Sequence, residues 1–147
     1  MIDIAPPRPP RHRNGRPSTA ALAELPTHAG HRAYFEWFEE ARNRYLGAVG
    51  LAPLSPVTPG PVIAETSIRY HRPLVYADEI VVTARTVRLG RTSFEMEYAV
   101  GRDGLCALGR AVLILVVSAT GEKTPLPPEL RERILARGPN AEGRVSA

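Results

Sequence analysis

The chain carries a single cysteine, Cys106, among 147 residues. One thiol excludes both an intrachain disulfide framework and a thiolate metal quartet. It stands in an apolar stretch, where a small buried hydrophobe is its expected role. Long hydrophobic runs are missing as well. The longest, residues 111–117, is far too short to span a bilayer. No apolar segment of a secretory signal is found near the N-terminus, so a cytoplasmic location and no membrane partner are expected. There is no serine-centred elbow, no Gly-rich phosphate loop, no His/Cys metal spacing, no paired-carboxylate signature and no internal repeat. No metal site and no cofactor are therefore expected. Charge of one sign is scarce too. The net charge is +4, and Arg8, Arg11, Arg13 and Arg16 place most of the excess in the first residues. Without interleaved aromatics or a recognition motif, this basic stretch does not suggest nucleic-acid binding. A slightly positive rim suits an anionic small molecule instead.

What is present is an ordinary soluble composition, 44% apolar and 23% charged, in a length that suits one domain. Residues 1–17 are Pro/Arg-rich without a period and are expected to be disordered. Residues 18–138 are expected to form a single domain, and 139–147 a flexible tail. Ser18 can cap a short helical turn that Pro26 closes.

The dominant stretch is 31–46. Wound as a helix over 34–49, it puts Tyr34, Trp37, Phe38, Ala41, Tyr45, Ala48 and Val49 on one side, with Phe35 and Leu46 widening that side to about half the circumference. So broad an apolar arc suits a helix sunk into a curved sheet. Gly50 serves as the residue just past its end, and Pro53 and Pro56 keep it from resuming. Arg42 falls inside the arc, at roughly 80° on the wheel. A guanidinium there needs a partner or a polar cavity, because an unpaired buried charge is costly.

After a proline-stiffened connector, four strands are expected. Residues 62–71 alternate loosely, 80–87 are β-branched, and 92–100 alternate cleanly, with Phe94, Met96 and Tyr98 on one face and Glu95 and Glu97 on the other. Residues 105–118 form a long strand whose 111–117 run lacks a polar face, predicting burial on both sides. Arg102-Asp103-Gly104 makes the hairpin turn between the last two. A short amphipathic helix over 128–137 closes the domain. The class is α+β: one long helix followed by antiparallel strands. Uncovered edges and a convex face argue for pairing with another copy.

The local words resemble the hotdog-fold thioesterases, in the 4-hydroxybenzoyl-CoA thioesterase-like branch. His31-Arg-Ala-Tyr34, Trp37 and Phe38-Glu-Glu-Ala-Arg42 are similar to that family's H-x-x-Y-x-x-[WF]-x-E-x-A-R helix start. Ser67-Ile-Arg-Tyr-His-Arg-Pro-Leu74 followed by Tyr76-Ala-Asp-Glu-Ile80 resembles its second strand and turn, and Arg88-Leu-Gly-Arg-Thr-Ser-Phe94 its next turn. The resemblance implies a hotdog fold, a helix wrapped by a curved antiparallel sheet. It also implies homodimers or homotetramers with sites at the subunit interface. The implied activity is hydrolysis of acyl-CoA or acyl-carrier-protein thioesters, with coenzyme A present only as part of the substrate.

The same resemblance assigns roles. The thioester carbonyl lies at the helix N-terminus, polarised by the backbone N–H at His31 and by the helix dipole. A carboxylate ten residues before the motif tyrosine attacks or activates water, and here that position holds Glu24 rather than the family's aspartate. Arg42 matches an arginine that related enediyne-pathway thioesterases use near the carbonyl. His28 lies in the loop beside the site and Tyr34 within the motif. Arg88, Arg91 and Thr92 occupy a turn where relatives contact the CoA nucleotide, and paired arginines suit phosphate. Because the Glu24 loop departs from the family pattern, a hotdog module that binds acyl thioesters without cleaving them is the alternative reading. A hydratase of the same fold comes third.

Overall fold

The computed structural model describes residues 2–3, 29–75 and 78–137. They comprise β1 (Ile2–Asp3), α1 (His31–Ala48), β2 (Gly60–Tyr70), β3 (Val81–Leu89), β4 (Ser93–Gly101), β5 (Leu105–Val116) and α2 (Pro128–Ala136). The strands form one antiparallel sheet in the order β1-β3-β4-β5-β2. The expected α+β architecture is the one found: a long helix packed on the inner face of a curved sheet.

Strict alternation on β4 explains the packing. Phe94, Met96, Tyr98 and Val100 are buried against α1, while Glu95 and Glu97 point outward. From the helix, Tyr34, Trp37, Phe38, Ala41, Tyr45 and Leu46 meet them. Phe38 stacks on Tyr98 with ring centres 4.9 Å apart. Below Phe38 the sheet needs a residue without a side chain. A Cβ at Gly109 on β5 would lie 2.7 Å from Phe38 Cζ, and nearer still to Cε2. The helix therefore rests on bare backbone at this point.

The C-terminus of α1 forms a Schellman closure. Leu51 N–H bonds to Leu46 O at 2.9 Å and Gly50 N–H to Gly47 O at 3.1 Å, with Gly50 at φ 75° as expected of a glycine just past a helix. At this end α2 docks through buried Leu130 and Ile134. Arg131 donates to Gly90 O, and Leu126 N–H to Arg91 O at 2.9 Å.

Several expectations are corrected. The helix begins at His31, three residues ahead of 34–49. Phe35 is exposed rather than part of the buried arc. The 111–117 run is not buried on both sides: Ala111, Leu113 and Leu115 face the helix, whereas Val112, Ile114 and Val116 are only half-covered on the outer face. Among the described residues nothing covers them further. Ile2–Asp3 pairs with Val81–Val82, and the rest of the 1–17 stretch lies outside the described residues. The predicted turn at 18–26 and the tail at 139–147 lie outside the described residues.

Candidate active site

The local sequence makes α1 an unusual helix at its start. Gly30 occupies the N-cap position in extended geometry (φ −74°, ψ 167°), contributes no capping side chain, and no acid follows in the first turn. Ala33 N–H reaches back to Gly30 O at 3.0 Å. Among the described residues the amides of His31 and Arg32 have no acceptor, so two donors and the positive end of the helix dipole are presented together.

At Gly30 and His31 the helix start opens into a cleft of about 400 Å³, lined by Ala29, Gly30, His31, Tyr34, Tyr70, His71, Arg72 and Pro73. The far wall is the end of β2 and the connector that leaves it. Ala29 N–H bonds to Leu74 O at 2.6 Å, stitching the two walls together. Inside, Tyr70 Oη lies 2.6 Å from His31 Nδ1, and Tyr34 stands edge-on to Tyr70 with ring centres 5.0 Å apart.

Fixed charges brace this end. Arg72 donates to Arg102 O and Asp103 O, each at 2.9 Å, and to Leu105 O at 3.3 Å, clamping the β4–β5 turn to the cleft. Behind it Asp78 accepts Val75 N–H at 2.8 Å and pairs with Arg102. The Val75 amide, helped by Arg102, holds the Asp78 carboxyl below its ordinary value despite partial burial. Burial raises both tyrosine hydroxyls, with Cys106 and Tyr70 adding to the effect at Tyr34. Both therefore stay protonated near neutral pH.

The predicted site residues separate into groups. His31 and Tyr34 share the cleft. Glu24 and His28 lie outside the described residues. Arg42 stands eleven residues along α1 from His31, about 16 Å by helix rise, and is not part of the cleft. Its side chain, 12% exposed, lies 3.9 Å from Glu39, and its positive charge partly counters the rise that burial causes at the Tyr98 hydroxyl. Arg88, Arg91 and Thr92 lie at the opposite end of the sheet, about 23 Å away by strand rise. Arg88 pairs with Glu95 at 3.0 Å, and Arg91 and Thr92 offer their carbonyls to Leu126 and Leu115. Within one chain the helix start and the arginine turn are not brought together.

Tyr70 and Arg72 are two of the cleft residues to which sequence reasoning assigned no role. Both stand in the Ser67–Leu74 word, but their pairing with His31 and with the β4–β5 turn depends on contacts at least thirty residues apart, which no local spacing displays.

Among the described residues no three His, Cys, Asp or Glu side chains gather into a metal site. No helix among them is long and apolar enough to cross a membrane.

Comparison with known proteins gives a consistent result. A family model described as the thioesterase-like superfamily matches residues 25–134. A Thermus thermophilus thioesterase, solved with coenzyme A and zinc, is 32% identical with a TM-score of 0.63, over 74% of this chain and 85% of that one. A thioesterase superfamily structure from Jannaschia sp. CCS1 is 26% identical with a TM-score of 0.68, over 76% and 72%. A gentisyl-coenzyme A thioesterase shares the fold at 21% identity and a TM-score of 0.64, over 76% and 89%. No curated protein matches the chain. With its helix laid in a hotdog sheet and a family match running from before the cleft into α2, the chain belongs to the thioesterase-like superfamily and is a thioester hydrolase.

Proposed function

We propose that this hydrolase acts on acyl thioesters of coenzyme A or of an acyl carrier protein's phosphopantetheine, with the thioester carbonyl seated at the start of α1. The observation that carries this reading is the uncapped helix N-terminus opening into the aromatic-walled cleft. The carbonyl oxygen accepts the free His31 N–H, and the negative charge that grows on it during attack is held by that amide and the dipole behind it. Water adds to the carbonyl carbon with Glu24 as base, or Glu24 attacks directly and its acyl intermediate is then hydrolysed. The C–S bond breaks, and the products are the free acid and the thiol. Tyr34 and Tyr70 give the acyl group an apolar wall.

A second copy completes the arrangement. Among the described residues β2 is paired by β5 on one side only, and Ile63 on it is 46% exposed. Two β2 edges joined antiparallel about a two-fold axis would lay the far end of one sheet beside the cleft of the other. Arg88, Arg91 and Thr92 then approach the cleft from the neighbouring subunit and suit the nucleotide phosphates of coenzyme A. The relative solved with coenzyme A supports that thiol half.

The test is thiol release from a panel of acyl-CoAs and an acyl carrier protein. Release above buffer for at least one acyl group is expected, falling to background in Glu24→Ala. Background release across the whole panel overturns the substrate assignment, and an unchanged rate in Glu24→Gln removes Glu24 from the mechanism.

A further inference from the structure

The chemistry above uses neither tyrosine hydroxyl of the cleft, and that of Tyr70 is the one that meets His31. Tyr70 closes β2, and its Oη meets His31 Nδ1 at 2.6 Å, across 39 residues of sequence. The two rings are tilted by 59° with centres 5.4 Å apart, and Tyr34 braces Tyr70 from the helix side. A phenol can donate or accept, and so can either nitrogen of a neutral imidazole, according to its tautomer. Three facts decide between these possibilities. Tyr70 keeps its hydrogen, because burial raises its hydroxyl above the ordinary value. Among the described residues, Nδ1 is the one acceptor in reach of that hydrogen. An imidazole nitrogen also accepts a hydrogen bond more strongly than a phenol oxygen.

We infer that Tyr70 is a positioning residue that donates its hydroxyl hydrogen to His31 Nδ1, holding the ring in the tautomer whose hydrogen is on Nε2. The inference rests on the proposed seating of a thioester carbonyl at the start of α1. His31 then offers that carbonyl two donors, its backbone N–H and its ring Nε2–H. The ring acts as a neutral donor to developing negative charge and transfers no proton. Every hydrogen stays on its own atom, so no base is needed to recover it. Among the described residues Nε2 has no partner of its own, which leaves it available to a ligand.

The arrangement gives the end of β2 a task beyond walling the cleft. A histidine at an exposed helix start samples both tautomers and several ring orientations. The phenol removes half of that freedom before substrate arrives. Tyr70→Phe keeps the ring and its packing on Tyr34 while deleting only the donor.

Two measurements test the inference on the full-length chain. The first is nitrogen NMR of ¹⁵N-histidine-labelled protein, recorded well above the ordinary histidine titration range and assigned by loss of the signal in His31→Gln. The Nε2–H tautomer is expected to dominate in the wild type and a mixture to appear in Tyr70→Phe. A dominant Nδ1–H form, or an identical spectrum in Tyr70→Phe, overturns the inference. The second is steady-state thiol release. Tyr70→Phe is expected to lower kcat roughly five- to tenfold, the effect of one neutral hydrogen bond, with KM within about twofold. In a His31→Gln background Tyr70→Phe is expected to change nothing further, and full multiplication of the two losses would refute the coupling. If no acyl-CoA is cleaved at all, the substrate reading fails, while the NMR measurement still decides the role of Tyr70.

Discussion

Gly109→Ala tests how the helix is seated. The new methyl would lie 2.7 Å from Phe38 Cζ. Phe38 has no room to retreat, being 2% exposed and stacked on Tyr98 at 4.9 Å. Relief requires an off-rotamer ring or a lifted helix, and such overpacking costs about 1–3 kcal/mol. Replacing glycine in a strand returns about 0.5–1 kcal/mol by restricting the unfolded chain. The net loss centres on about 1 kcal/mol, or a fall of about 3–5 °C in Tm for a domain of this size. Thermal and urea unfolding followed by circular dichroism measure it. Phe38→Leu costs about 1–2 kcal/mol alone by leaving a void, but in the Gly109→Ala background the void receives the methyl. The double variant should therefore be more stable than the sum of the two losses predicts. Additivity within about 0.5 kcal/mol, or a Gly109→Ala protein as stable as the wild type, refutes this account of the packing.

Other outcomes follow from particular contacts. The folded-state pKa of Asp78 is lowered, so its contribution is complete above the ordinary aspartate value of about 4 and is lost as pH falls through the lower folded value. Asp78→Asn is thus expected to lower Tm at pH 7 and to flatten the loss on acidification, as calorimetry from neutral into acid would show. Arg42→Met removes the cation beside the buried Tyr98 hydroxyl, leaving it Met96 Sδ at 3.8 Å. The expected cost is about 1–3 kcal/mol, read as a lower urea midpoint with an unchanged slope. Sedimentation should give a multiple of the 16.0 kDa chain mass, reduced toward one chain by Ile63→Arg on the β2 edge.

The elements most legible in the sequence are those whose burial has a period. Phe94, Met96 and Tyr98 alternate with Glu95 and Glu97, and they lie on opposite faces of β4 as that pattern requires. The broad apolar arc of α1 announces a helix enclosed by a sheet, and Gly50 announces its end. Where periodicity misleads, the reason is a missing layer. Residues 111–117 are apolar on both faces, but among the described residues only the inner one is fully covered, and sequence does not distinguish a face buried by the same molecule from one left half-open. Phe35 misleads likewise, apolar by type and exposed by position. Half of the cleft is readable, because His31 and Tyr34 belong to one helical word. Tyr70 is not, since its meeting with His31 is made by the β2–β5 register that sets Tyr70 opposite Ala107. Arg42 shows a related limit: the wheel places it inside correctly, but a wheel says nothing of how far along the helix it stands from the cleft at His31.

Gly30 has a consequence for any attempt to stabilise this protein. Its backbone angles suit every residue type, and a Cβ built there meets nothing within 4 Å. Neither sterics nor strain demands a glycine. Aspartate at this position would fasten onto the open amides and add about 0.3–1 kcal/mol through the dipole. A screen for heat resistance should therefore select it readily. The same carboxylate would occupy the ground on which the proposed mechanism forms its oxyanion, so the hardiest variant at residue 30 is expected to be also among the slowest.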